Sequence, residues 1–259
     1  MAKAFAVVNQ KGGVGKTTTA VNLAACSALD GKRVLVVDTD PQGNATSGLG
    51  VDRSKLSACV YDLLADALDG TDEERLRQVT VETDIDGLHL IPATINLAGA
   101  DLTLASAIAR DTKLKRALEP AFRRYDLVVI DTAPSLGILT INSLAAADRV
   151  IIPIQCEYYA LEGLSQLLQV VQLVQGQINP ALRIEGVVLT MYDSRTNLSA
   201  EVAREVRGSF RGKVFDTVIP RNVRLAEAPS HGEPGVIYDK SCIGTDAYWK
   251  LYAEVFKRA

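Results

Sequence analysis

The run Lys11-Gly12-Gly13-Val14-Gly15-Lys16-Thr17-Thr18 places three glycines, two lysines and two adjacent hydroxyls within one short segment. Glycines let successive backbone N–H groups curl around phosphate oxygens. A helix that opens at Lys16 adds the positive end of its dipole. In that arrangement Lys16 meets the β- and γ-phosphates of a nucleoside triphosphate, and the Thr17 hydroxyl ligates Mg²⁺. Gln10 stands where the usual phosphate-loop pattern has its first glycine, and Lys11 puts a second cation at the loop's start. Two acidic strand ends follow. Val34-Leu35-Val36-Val37 runs into Asp38-Thr39-Asp40-Pro41, and Val128-Val129-Ile130 into Asp131-Thr132-Ala133-Pro134. Carboxylates at the C-terminal ends of parallel strands face the ligand crevice. Asp131 therefore suits the cation side of the phosphates, and Asp38 a supporting place in the metal shell. Thr112-Lys113-Leu114-Lys115 lacks the aspartate of a guanine-reading loop, which favours ATP.

These groups need strands that end together and a helix behind the loop. Apolar, β-branched runs recur at 5–9, 33–38, 88–92, 126–131, 149–154, 184–190 and 214–220. Most are continuous rather than alternating, as in strands buried on both faces. Helical spacing fills the intervals at 17–29, 114–122, 138–146 and 161–174. Strands alternating with helices predict an α/β fold with a mostly parallel, doubly wound sheet and helices on both faces. The segment 51–86 is the least regular and reads as a surface helical excursion. No linker or low-complexity stretch divides the chain, so residues 1–259 are expected to form a single domain.

The 259 residues, 47% apolar and 23% charged, suffice for a full globular core. No apolar run approaches the ~18 residues of a membrane span, and no leader pattern precedes the first strand. A cytoplasmic location is expected. Cys26, Cys59, Cys156 and Cys242 form no metal-like spacing and read as reduced thiols. Net charge is −3, so any nucleic-acid contact needs a local basic patch. Residues 195–224 supply seven basic against three acidic residues, a local balance of +4.

The motif K-G-G-V-G-K-T-T resembles the deviant Walker A motif of the ParA/MinD group of ATPases, which implies a single P-loop NTPase domain. In that group the lysine matching Lys11 reaches across an ATP-dependent nucleotide-sandwich homodimer to the partner's phosphates. The resemblance gives Asp40 the water-positioning role and places adenine at Pro220 and Asn222. It completes a catalytic set of Lys11, Lys16, Asp40 and Asp131. The nucleotide contacts are then Lys11, Gly12, Gly13, Val14, Gly15, Lys16, Thr17 and Thr18, and the metal set is Thr17, Asp38 and Asp131. Ala133 departs from the family, which often has a second proline there.

Three longer stretches, DTDPQGNATSGLG at 38–50, QCEYYALEGL at 155–164 and IPRNVRLAEAPSHG at 219–232, resemble the chromosomal ParA/Soj partition proteins. That resemblance implies a DNA-segregation ATPase associated with the nucleoid. Its ATP-bound dimer would bind double-stranded DNA without sequence preference, and a ParB-type partner would stimulate hydrolysis and release it. Arg195 and Arg224 match DNA-contacting arginines of the family. The chain begins at its first strand, without a helix-turn-helix extension, so specific operator recognition is not expected.

Three rival readings share the motif. A MinD-like membrane ATPase ends in a basic amphipathic anchor. Here Tyr248, Leu251, Tyr252, Val255 and Phe256 form one helical face, which reads as a final helix docked on the sheet. An iron–sulfur reductase needs cluster cysteines, which are not evident. A small-molecule ligase or kinase leaves the basic segment without a purpose.

Overall fold

Strands apolar at every position need a partner layer on each side, and the computed structural model supplies two. It describes residues 2–66, 68–158, 163–210 and 212–256, without the side chain of Asp101. The strands are β1 (Lys3–Val7), β2 (Val34–Thr39), β3 (Val81–Glu82), β4 (Leu88–Ile91), β5 (Leu127–Thr132), β6 (Arg149–Gln155), β7 (Arg183–Tyr192) and β8 (Val214–Pro220). They form one eight-stranded sheet in the order β3-β4-β2-β5-β1-β6-β7-β8. Every pairing is parallel except β3 with β4.

The helices in chain order are α1 (Lys16–Leu29), α2 (Asn44–Gly48), α3 (Val60–Leu64), α4 (Asp72–Val79), α5 (Ala100–Ala105), α6 (Lys113–Ala117) and α7 (Ala121–Arg124). They continue as α8 (Ile138–Ala146), α9 (Leu164–Gln177), α10 (Asn197–Ser209), α11 (Val223–Glu227), α12 (Gly235–Tyr238) and α13 (Ile243–Phe256). Strand alternation divides the core in two. Leu35, Val37, Val128 and Ile130 face the layer built from α3 to α10. Val34, Val36, Leu127 and Val129 face α1 and α13. The doubly wound sheet read from the sequence is the one observed.

Some boundaries differ. The helix expected over 114–122 is two short helices, α6 and α7, because Pro120 at the start of α7 has no N–H to continue the ladder. The helix expected from 161 begins at Leu164, after Gly163 in the left-handed region at φ 75°; residues 159–162 lie outside those described. The segment 51–86 is helical, but it is more than a surface excursion. Val60, Leu63, Leu64, Leu76 and Val79 are buried in the first core. β3 has only two residues, too few to show a period. The last helix docks as expected, with Tyr248, Leu251, Tyr252 and Val255 at most 3% exposed; residues 257–259 lie outside those described.

Candidate functional site

The glycine-rich loop leaves β1 and turns into α1. Gly13 and Gly15 sit at φ 73° and 84°, where any other residue is strained, so the turn depends on glycine. Neighbouring strands brace it. The Asn9 side-chain amide donates to the Pro153 carbonyl (2.6 Å) and its oxygen accepts the Lys11 N–H (3.0 Å). The Thr190 hydroxyl, on β7, donates to the Val14 carbonyl (2.9 Å). Lys16 is 6% exposed, and its Nζ donates across the loop to the Lys11 carbonyl (2.8 Å). Burial lowers the pKa of Lys16, against the opposing pull of Asp131 and Asp40.

Parallel register brings the acids together. Asp38 on β2 pairs with Asp131 on β5, and Val7 at the end of β1 pairs with Asp131 from the other side. The Thr17 hydroxyl donates to Asp131 Oδ2 (2.7 Å). Asp131 Oδ1 is buried and has no hydrogen-bond partner among the described residues. Burial raises the pKa of Asp131 well above the ordinary carboxylate range, and Asp38 adds to the rise. An unpartnered oxygen on a fully buried carboxylate, next to a hydroxyl and a lysine, fits a hard cation.

Asp38 is used differently. Its Oδ1 accepts the Asp40 N–H (3.1 Å), and its Oδ2 accepts both the N–H (2.8 Å) and the hydroxyl (2.7 Å) of Thr46. Its pKa still rises to about 6 because burial outweighs these bonds. Its oxygens thus fasten the turn 38–46, and Asp40, 5% exposed, stands at the head of that turn with Oδ1 accepting the Gln42 N–H (2.9 Å). The Thr46 hydroxyl also accepts the Ala93 N–H (3.0 Å). Thr46→Val keeps the shape and the backbone bond to Asp38, but it removes the hydroxyl's bond to that carboxylate and strands the Ala93 N–H. We expect a loss of about 1–3 kcal/mol in stability, read by urea unfolding; an unchanged midpoint would show that the turn does not depend on this hydroxyl.

Two cavities open above these groups. The larger, about 640 Å³, is walled by Gly12, Lys16, Thr17, Asp40, Gln42 and Pro229, among others. The smaller, about 150 Å³, lies against Pro220 and Asn222 and shares Gly15, Thr18, Met191, Leu225 and Ala226 with the first. Of the residues read as phosphate, metal and base contacts, Gly12, Gly13, Gly15, Lys16, Thr17, Thr18, Pro220 and Asn222 line this continuous region. Asp131 and Asp38 adjoin it through Thr17 and Asp40, and Lys11 and Val14 do not line it. Asn222 has a second task, since its Oδ1 caps α11 by accepting the Leu225 N–H (3.2 Å). The sequence reading missed Asn22 and Met191. Asn22 donates to the Thr18 carbonyl (2.8 Å) and accepts the Val236 N–H (2.9 Å), which ties α1 to the cavity's far wall. Its signal was a lone amide among the apolar residues of α1, where it is 2% exposed.

Arg195 and Arg224 lie outside the cavities, beyond the C-terminal ends of β7 and β8, which the Arg221 N–H to Tyr192 carbonyl bond (3.1 Å) joins. Both are exposed, and both are paired. Arg195 grips Asp193 through two nitrogens (2.9 and 2.8 Å), which pulls that carboxyl down to about 2. Arg224 meets Glu227 (3.1 Å) and Asp239 (3.5 Å). The +4 of residues 195–224 is thus partly offset by acids just beyond that window, and Arg211 lies outside the described residues. Among the described residues no helix is long and apolar enough to cross a membrane.

A family profile described as an AAA domain matches residues 2–184. The chain is 57% identical over 255 residues to the sporulation initiation inhibitor protein Soj of Bacillus subtilis, covering 98% of each. It is 50% identical over 255 residues to the chromosome-partitioning ATPase Soj of Thermus thermophilus, covering 98% of this chain and 95% of that one. Among solved structures, cobyrinic acid a,c-diamide synthase from Mycobacterium smegmatis with bound ADP and magnesium is similar at a TM-score of 0.85. Identity there is 38%, over 97% of this chain and 93% of that one.

Proposed function

The chain belongs to the Soj/ParA family of chromosome-partitioning ATPases, and from that premise we propose how its site hydrolyses ATP. The reading rests most on Asp131, whose one oxygen holds the Thr17 hydroxyl while the other is buried without a partner among the described residues. A hydroxyl that donates its proton to Asp131 keeps a lone pair for a cation. Thr17 and Asp131 would hold Mg²⁺, with Asp38 fixing the turn behind them. Bound there, the ion would supply positive charge to the transferring phosphoryl group.

The chain's own groups do the rest. The loop N–H groups and Lys16 hold the β- and γ-phosphates, and Pro220 and Asn222 bracket the adenine. Asp40 orients the attacking water and takes up its proton. The γ-phosphoryl group passes to that water as its bond to the bridging oxygen breaks, giving ADP and phosphate. Positioning and charge neutralisation account for the catalysis. Lys11 supplies a cation to the partner's phosphates in an ATP-dependent homodimer. A ParB-type partner bearing a basic side chain would add a further cation, with less gain than the ~10³–10⁵ of an arginine finger because Lys11 is already present.

The dimer is proposed to bind double-stranded DNA, and hence the nucleoid, without sequence preference through Arg195 and Arg224. Phosphates then displace the carboxylates that hold them, a change of partner that suits a salt-dependent, reversible contact. Family membership sets aside the MinD-like alternative. The ligase reading has a counterpart in the mycobacterial structure at 38% identity, but relatives at 48–51% identity carry chromosome-partitioning names.

One set of measurements tests the scheme. Phosphate release, sizing and gel shifts are compared with ATP and Mg²⁺, ATP and EDTA, ADP, and no nucleotide. Hydrolysis is expected only with Mg²⁺, and dimer and DNA binding only with ATP. Arg195→Glu combined with Arg224→Glu should flatten the log K against log [salt] slope by about 0.9 per lost phosphate contact, with ATP-dependent dimerisation intact. Equal hydrolysis in EDTA would overturn the metal assignment, and wild-type DNA binding by the double variant would overturn the DNA surface.

A further inference from the structure

The register between β7 and β8 is irregular on both sides of Leu189, and from Val187↔Val214 to Leu189↔Val218 two steps along β7 oppose four along β8. Between the pairs Leu189↔Val218 and Tyr192↔Pro220, three steps along β7 oppose two along β8. A bulge of this kind re-aims a side chain. By regular alternation Met191 would follow Val187 and Leu189 into the first core. Instead it lines both cavities, where the phosphate and base regions meet. Its φ is +51°, in the left-handed region that side chains other than glycine rarely adopt. The other non-glycine residues with positive φ among those described, Asp66 and Ala109, line neither cavity.

The chain is fixed on either side of this residue. The Thr190 hydroxyl holds the Val14 carbonyl (2.9 Å), its own carbonyl accepts the Cys156 N–H (3.0 Å), and the Tyr192 carbonyl accepts the Arg221 N–H (3.1 Å). A disfavoured backbone persists when its surroundings over-determine it, and such positions collect at ligand clamps. Glycine would occupy this one without strain. A long side chain there instead points to a use for the side chain.

We infer that Met191 is a binding residue for the nucleoside part of ATP, its thioether chain packing on the base and ribose where they pass from one cavity to the other. The inference rests on the ATPase reading above. Methionine suits the place because it is unbranched and polarizable, and its sulfur makes favourable contacts with aromatic rings. An apolar contact remote from the γ-phosphate holds substrate and transition state alike. It acts on affinity and leaves turnover at saturation unchanged.

Met191→Gly separates this role from a structural one. Relief of strain should keep the melting temperature of the nucleotide-free variant at the wild-type value or raise it by about 2 °C. Affinity for ADP with Mg²⁺, measured by calorimetry, should fall about tenfold, as expected for a lost buried methionine contact. KM for ATP should rise alike, with kcat within about twofold. Met191→Leu, which keeps length and apolarity, should hold ADP affinity within about threefold. If wild type binds ADP and Met191→Gly binds it equally well, the assignment is overturned while the ATPase reading stands. If wild type binds neither ADP nor ATP, both fall together. A Met191→Gly protein that melts several degrees lower would also overturn it, since the residue would then be needed for the fold.

Discussion

Lys16→Gln is expected to lose productive ATP binding and at least about 10²-fold in turnover, the scale of removing one preorganised donor to developing charge. The lysine is 6% exposed, and its ammonium lies across the loop against the Lys11 carbonyl (2.8 Å). Burial already disfavours that charge, as its lowered pKa reflects, and the carboxylates Asp131 and Asp40 partly restore it. A triphosphate adds negative charge at the same point and raises the value of the cation. Glutamine is one bond shorter, keeps an N–H donor group and brings no charge, so the fold is kept and the electrostatic contribution is lost. Calorimetric titration with ATP and phosphate-release assays read the two effects. Wild-type affinity and rate in this variant would remove Lys16 from the phosphate site.

Asp40→Ala is expected to separate binding from chemistry. It leaves the glycine loop, Lys16, Thr17 and Asp131 in place, so ATP still binds. Loss of the carboxylate proposed to position the attacking water should lower turnover about 10²-fold or more, within the range of general base catalysis. The removed oxygen also accepts the Gln42 N–H (2.9 Å), but Asp38 and Thr46 continue to hold the turn (2.8 and 2.7 Å). ATP-bound dimer should therefore accumulate, and sedimentation with ATP reads it directly. A monomeric Asp40→Ala protein, still saturated with ATP, would contradict the nucleotide-sandwich arrangement.

The sequence made the loop and the acids legible because each lies within one contiguous stretch. Glycine spacing marks residues 12–15, and an apolar run marks each strand that delivers Asp38 or Asp131. What it hid depends on partners distant in the chain or on backbone angles. The two Thr46 bonds that occupy one oxygen of Asp38 come from a helix eight residues on. Asp193 lies two residues before the basic window and neutralises its first arginine. The apolar pattern of β7 fades at Thr190, while the strand runs on to Tyr192 through a bulge that no periodicity announces. Burial of Leu63 and Leu76 beneath charged residues was masked because α3 and α4 are too short for a clear helical stripe.

The pairing of Asp38 with Asp131 across β2 and β5 makes the molecule's tolerance of length change uneven. A strand's side chains alternate faces, so one residue inserted within β2 turns every later side chain through half a revolution. Asp38 would then exchange places with an apolar neighbour, and the two cores would swap members along that strand. An insertion at the exposed turn of residues 69–70 meets no such rule. The chain is thus free to lengthen on the flank beside α4, while the strands that deliver the carboxylates are held to their residue count.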